Sequence, residues 1–174
     1  MSAPLVVSLL LDPASQQRFD DLRTAHFPAR PGSGAGGGLF RLDAHVTLFH
    51  ALPGERVAEV RGELAAAAAR PPFDVRVGGV RFLGRGVAFD LTAPEVTALR
   101  ADVAAAFDTD LTAQDRQWRH PHVTVQNKVE PAVARALHAQ LAAEFTPWTA
   151  TARGLGLWHY RGGPWELDSE FAFG

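Results

Sequence analysis

Along this chain, short apolar runs of strand length alternate with stretches whose apolar residues recur three or four positions apart. Leu5–Leu11 is almost wholly apolar and predicts a buried strand. Asp12-Pro13 ends it and supplies a helix N-cap and a first helical residue. The helix is marked by Phe19, Leu22 and His26 and stops at Pro28. Asp43–His50 alternates like a half-buried strand, and Glu55–Ala69 predicts a helix with Val57, Val60 and Leu64 on one face. Phe73–Leu83 and Val87–Leu91 read as two strands of a hairpin joined by Gly84-Arg85-Gly86. Thr92 with Glu95 predicts a capping box for a helix carrying Val96, Leu99, Val103 and Phe107. A polar connection, Asp108–Arg119, leads to a strand over Pro121–Asn127. Pro131 opens a helix with Val133, Leu137, Leu141 and Phe145 on one stripe, and Trp148–Tyr160 and Trp165–Phe173 predict closing strands.

This order repeats. His45-Val46-Thr47-Leu48 and His122-Val123-Thr124-Val125 lie 77 residues apart, each preceded by a helix and followed by a helix and two strands. Phe73 comes 28 residues after the first histidine and Trp148 comes 26 after the second. A repeat this long, present twice, is no solenoid. It predicts an α+β fold, a single domain over 1–174 with two lobes related by a pseudo-twofold axis. Each lobe is expected to be an antiparallel sheet with outer helices, flanking a central cleft. The repeats run over about 1–92 and 93–174, with strands free to exchange between lobes.

Composition narrows the function. The 174 residues are 47% hydrophobic and 21% charged, with 17 basic and 19 acidic side chains. A net charge of −2 excludes broad electrostatic capture of long duplex nucleic acid but not a small phosphate held in a local pocket. With no cysteine there are no disulfides, thiol nucleophiles or zinc–thiolate sites. No apolar run approaches bilayer length and no charged leader precedes the first one, so a cytoplasmic protein without membrane contact is expected, and a monomer because two fused lobes need no partner to complete a site. The glycine-rich segment ending at Gly38 reads as a mobile connector, with a lid as the minority reading. It is not a P-loop, since no Gly-Lys-Ser/Thr follows.

On a strand, residues two apart share a face. His45, Thr47 and Phe49 then point one way, as do His122, Thr124, Gln126 and Lys128, while Val46, Leu48, Val123 and Val125 face a helix layer. A twofold arrangement sets two imidazoles and two hydroxyls around one cleft. One histidine accepts a proton while the other donates one, and threonine hydroxyls donate to a phosphoryl oxygen. Lys128 adds positive charge, and Phe49, Trp158 and Tyr160 offer faces for a nucleobase. The inventory fits in-line displacement at phosphorus with no cofactor and no metal. His120 and His122, two apart, also match a pair of metal ligands, but no Asp or Glu stands nearby at ligand spacing, which favours support of the fold for His120. A lone strand histidine is more often a hydrogen-bonded core residue. The duplication is what favours catalysis.

Two His-x-Thr-x motifs in a duplicated chain resemble the 2H phosphoesterase superfamily. The wording His45-Val-Thr-Leu-Phe-His-Ala-Leu-Pro53 and His120-Pro-His-Val-Thr-Val-Gln-Asn-Lys128 is most similar to its bacterial 2′-5′ RNA ligase-like branch. The resemblance covers nearly the whole chain. It implies a bilobal fold and hydrolysis of RNA or nucleoside 2′,3′-cyclic phosphates, or reversible 2′-5′ linkage chemistry on a small nucleotide or RNA end. It also implies His45 and His122 as the acid–base pair, with His122 favoured as base and His45 as acid, and Thr47 and Thr124 as phosphate binders. Many relatives carry an arginine shortly after the second motif, where this chain has Gln126-Asn127-Lys128. The alternative reading is a nucleotide- or RNA-end-binding module of the same fold without catalysis.

Overall fold

The computed structural model describes residues 2–31 and 39–174; the glycine-rich segment 32–38, expected to be mobile, lies outside the described residues. In chain order the strands and helices are β1 (Leu5–Leu11), α1 (Pro13–His26), β2 (Arg30–Pro31), β3 (Leu39–Phe40), β4 (Val46–Leu52), α2 (Val57–Ala67), β5 (Phe73–Phe82) and β6 (Val87–Thr92). Then follow α3 (Pro94–Ala106), α4 (Ala113–Arg116), β7 (His122–Gln126), α5 (Pro131–Glu144), β8 (Trp148–His159) and β9 (Glu166–Ala172).

Local chemistry explains most of these boundaries. Asp12 Oδ2 accepts the Ser15 N–H at 3.0 Å and Pro13 takes the first turn, so α1 begins where expected. The β5–β6 hairpin closes through Leu83 N–H to the Gly86 carbonyl, with Gly84 at φ +89°, a conformation that favours glycine. Three expectations are corrected. The Thr92–Glu95 capping box does not form: Pro94 fits the first turn, where a missing N–H costs nothing, so Ala93 is the cap and Thr92 stays in β6. The connection 108–119 holds a helix, α4, capped by Thr112 Oγ1 accepting from the Asp115 N–H at 3.2 Å. Val133 is exposed; Ala134, Leu137 and Leu141 form the buried stripe of α5.

One seven-stranded sheet carries the fold, in the order β4-β1-β8-β5-β6-β7 with β9 added to β8, and every pairing in it is antiparallel. The order is a palindrome about the β8–β5 junction: β4, β1 and β8 answer β7, β6 and β5. Neither half comes from one repeat. β8 and β9 of the second repeat join β1 and β4, and β5 and β6 of the first join β7. Structural equivalence of the second repeat therefore starts at Val87, which a division after residue 92 assigns to the first.

β4 and β7 end the strand order, yet they contact each other, so the sheet curls until its two edges meet. α1 packs against β7 and α4 against β4, which shields both edges. Leu5, Leu48, Phe49, Leu99, Phe107, Val125 and Leu155 are essentially inaccessible, each contributing roughly 1.5–3 kcal/mol by burial. No helix among the described residues is long and apolar enough to cross a membrane.

Candidate active site

Each His-x-Thr motif leads an edge strand, and both strands carry the same irregularity. On β4, Thr47 faces Ser8 and Phe49 faces Val7, two residues against one; on β7, Thr124 faces Ala88 and Gln126 faces Val87. A β-bulge follows each threonine and inverts the alternation of side chains. Leu48 and Phe49 are therefore both buried, as are Val125 and Gln126. This corrects the face assignment: Phe49 and Gln126, expected to meet substrate, lie in the interior. Their places at the cleft go to His50 and Asn127, 77 residues apart like the motifs themselves.

The histidines are held by matching contacts. His45 Nδ1–H donates to the Asp43 carbonyl at 2.8 Å, and His122 Nδ1–H donates to the His120 carbonyl across a longer 3.4 Å. A carbonyl can only accept, so in the neutral ring the proton sits on Nδ1 and the Nε2 lone pair remains for chemistry.

A second pair of residues with the 77-residue offset ties the halves together. Arg23 on α1 reaches across to the second motif, donating through Nη1 to the Thr124 carbonyl at 2.6 Å and through Nε to the Leu42 carbonyl at 3.0 Å. Arg100 on α3 makes the reciprocal contact, donating to the Leu48 carbonyl at 2.8 Å and the Asp115 carbonyl at 2.6 Å. Its guanidinium lies 4.4 Å from the ring centroids of both Phe49 and Trp118, so the buried Phe49 braces the strand rather than a substrate. Trp118 Nε1–H donates to the Thr47 carbonyl at 3.0 Å. Fully buried Asp115 accepts from the backbone N–H groups of His50 and Ala51 and from His50 Nδ1–H. These bonds hold its carboxyl below the usual carboxylate range despite burial, which acts against them.

A cavity of about 470 Å³ opens beside the motifs, lined by His45, His50, Thr124 and Asn127 with Arg23, Arg41, Tyr160 and Trp165. No carboxylate lines it among the described residues. Burial is the largest influence on His45 and lowers its pKa to about 4; the charges of Arg23, His50 and His122 act in the same direction. His122 is lowered as well, first by burial and then by Arg81 and His120, while the Asp90 carboxylate opposes the shift. Thr47, on β4, and His122, the first residue of β7, do not line the cavity itself.

Of the remaining expected substrate contacts, Tyr160 lines the cavity and Trp158 lines its neighbour, donating from Nε1–H to Ser8 Oγ at 2.8 Å. Lys128 is outside both, exposed and at φ +60° just beyond β7. Positive charge in the cavity comes instead from Arg23 and Arg41. Sequence reading missed these arginines, His50, Asn127 and Trp165. The 77-residue offset relating Arg23 to Arg100 and His50 to Asn127 was the signal available for them. His120 Nε2–H donates to Asp90 Oδ1 at 3.0 Å, which agrees with a supporting part. Among the described residues, no three or more His, Cys, Asp or Glu side chains stand together as a metal-binding group.

Comparison with known proteins is consistent with this fold. The structure is similar to that of TT0787 of Thermus thermophilus, at 15% identity and TM-score 0.66, covering 98% of this chain and 97% of that one. It is also similar to E. coli LigT complexed with 3′-AMP (18% identity, TM-score 0.64, 99% of each chain) and to LigT complexed with phosphate (18%, TM-score 0.56, 99% of this chain and 98% of that one). No curated protein matches the chain by sequence. Residues 11–164 match the model of the 2′-5′ RNA ligase superfamily, most of the chain with both motifs inside it, and the chain belongs to that family.

Proposed function

We propose that this protein is a metal-independent phosphodiesterase that opens 2′,3′-cyclic phosphates of nucleosides or RNA ends by two-histidine acid–base catalysis. One observation carries the reading. His45 and His122, at equivalent register, each commit Nδ1 to the carbonyl two residues back, and His45 lines, together with Thr124 of the second motif, a cavity that holds arginines and, among the described residues, no carboxylate.

A cyclic phosphate brings negative charge to that cavity, where Arg41 and Arg23 offset it. Thr124 and Asn127 supply donors for the non-bridging oxygens, and Thr47 is assigned the same task from the first half. Water attacks phosphorus in line. One Nε2 takes its proton, the bond from phosphorus to the leaving ribose oxygen breaks, and the other ring's Nε2–H protonates that oxygen. Burial lowers the His45 pKa to about 4 and keeps that ring neutral, so we assign His45 as base and His122 as acid, the reverse of the assignment expected from sequence. Joining a cyclic phosphate to a 5′-hydroxyl would use the same groups in the same roles, with the hydroxyl in place of water, and cleavage of the 2′-5′ linkage would exchange them. Cytoplasmic, monomeric action on small nucleotides or RNA ends accords with this chemistry.

The test is turnover of the four nucleoside 2′,3′-cyclic phosphates with EDTA present, with product analysis. Hydrolysis to a monoester, lost in His45→Ala and in His122→Ala, is the expected result. Tight nucleotide binding with no turnover on any of the four would replace it with the binding-module reading.

A further inference from the structure

A second cavity, of about 330 Å³, is also lined by His45 and is bordered by Ser8, Trp158, Trp165, Asp43, Arg153 and Glu170. Arg41, Leu42, His45 and Trp165 line both cavities, so the two adjoin along one wall. Trp165 stands at that wall with its ring centroid 4.5 Å from that of His45 and 6.2 Å from that of Trp158.

The two spaces differ in chemistry. Among the described residues the larger has Arg23 and Arg41 and no acid; the smaller adds a second indole, Trp158, and two carboxylates, Asp43 and Glu170, to Arg41 and Arg153. Asp43 is exposed, with its backbone carbonyl already taken by His45. Glu170 is 45% exposed and only loosely paired with Arg153, at 3.6 Å, so its oxygens retain capacity to accept hydrogen bonds. Arg41 and Arg153 offset the two carboxylates there, so the lining attracts no net anion, and a flat, neutral ring carrying N–H donors suits it: an indole face stacks on it and a carboxylate accepts from its edge. A volume near the lower end for small-molecule sites suits a base rather than a whole oligonucleotide.

We infer that this aromatic and acidic chamber is a nucleobase subsite, which seats the base of a nucleotide whose phosphate occupies the arginine-bearing cavity and which favours bases with exocyclic amino groups. The inference rests on the cleft being a nucleotide-phosphate site. Guanine is the best match, because its ring N–H and amino group present two adjacent donors to one carboxylate. Uracil presents its single N–H between two carbonyl oxygens, which a carboxylate opposes.

Binding of 3′-GMP, 3′-UMP and inorganic phosphate to the full chain, followed by NMR of the indole N–H signals, tests this. 3′-GMP is expected to bind at least tenfold more tightly than 3′-UMP and to shift the Trp158 and Trp165 signals that phosphate leaves in place. Glu170→Gln should cut the preference for 3′-GMP over 3′-UMP about tenfold, with phosphate affinity retained as the check on folding. Equal affinities for the two nucleotides, unmoved indole signals, or a preference untouched by Glu170→Gln overturns the inference. If 3′-GMP binds as described but no cyclic phosphate is hydrolysed, the subsite stands and the catalytic reading falls. Hydrolysis that ignores the base has the opposite meaning.

Discussion

His45 and His122 lead bulged edge strands of matching register, but their neighbours have little in common. Register places Leu10 beside the first motif where Asp90 pairs with His122, and Gly156 faces Ser8 where Arg81 faces Ala88. Gly156 leaves space for indole chemistry: a Cβ there would fall 2.8 Å from Trp158 Nε1 and 2.9 Å from Ser8 Oγ. One ring is thus walled by aromatic and aliphatic groups, with Trp165 against it. The other sits beside an ion cluster, with Asp90 3.1 Å from Arg81 and 3.0 Å from His120. Duplication supplied two equivalent backbones, and the side chains around the two rings diverged: burial lowers both pKa values, helped at His45 by the charge of Arg23 and opposed at His122 by that of Asp90.

The comparison can be broken most directly at the rings. His45→Ala and His122→Ala should each lower kcat/KM for a cyclic phosphate by about 10²–10⁴-fold, and the double variant should lose little beyond the worse single one. Full activity in either single variant would show that the halves are not a working pair.

The next largest effect concerns stability. Asp115→Ala strips three donors around His50 of their acceptor and should cost about 3 kcal/mol in denaturant unfolding. Asp90→Ala, in a partly exposed cluster, should cost less than about 1 kcal/mol. Equal costs would remove the structural asymmetry between the halves.

Titration sharpens it further. Both folded-state pKa values lie below 6.5, so both rings are mainly neutral at pH 7 and gain protons only as pH falls. The acid must be protonated and the base neutral, so kcat/KM should decline as pH rises above the His122 pKa and again as it falls below about 4. Trp165→Ala exposes His45 and should raise its NMR-measured pKa toward 6.5. Asp90→Asn removes a favourable charge and should lower that of His122. Shifts in the opposite directions would refute the environmental account.

The smallest effect belongs to Gln126, whose buried Oε1 has no hydrogen-bond partner where the equivalent Phe49 is apolar. Gln126→Met should be neutral or stabilise by up to about 1 kcal/mol, read as a denaturant midpoint. A loss above that would mean the amide has a role that Phe49 lacks.

Much of the fold was legible because local signals agreed with tertiary demands. Asp12-Pro13 starts a helix in any context, and Gly84 turns a hairpin without help from the rest of the chain. The cap at Thr92 was misread because a sequence rule for side-chain capping competed with the stronger steric preference of Pro94. Alternation placed His45, Thr47, His122 and Thr124 correctly on their strands up to the bulges. Beyond them it failed, since an extra residue leaves no mark on hydrophobicity when Leu48, Phe49 and Val125 are all acceptable core residues.

By itself, the sequence determined the elements, the duplication at 77 residues and the presence of two imidazole–hydroxyl pairs, because these depend on neighbours a few positions away. Only the tertiary structure decided that β8 would leave its own repeat to join β1, that Arg23 and Arg100 would clasp each other's motif strands, and that Trp165 would lie on His45. Those outcomes are set by close packing among segments up to 150 residues apart, such as Ser8 and Trp158. Which side chain meets which across such a distance is a matter of shape and register, and neither is written in the order of polar and apolar residues.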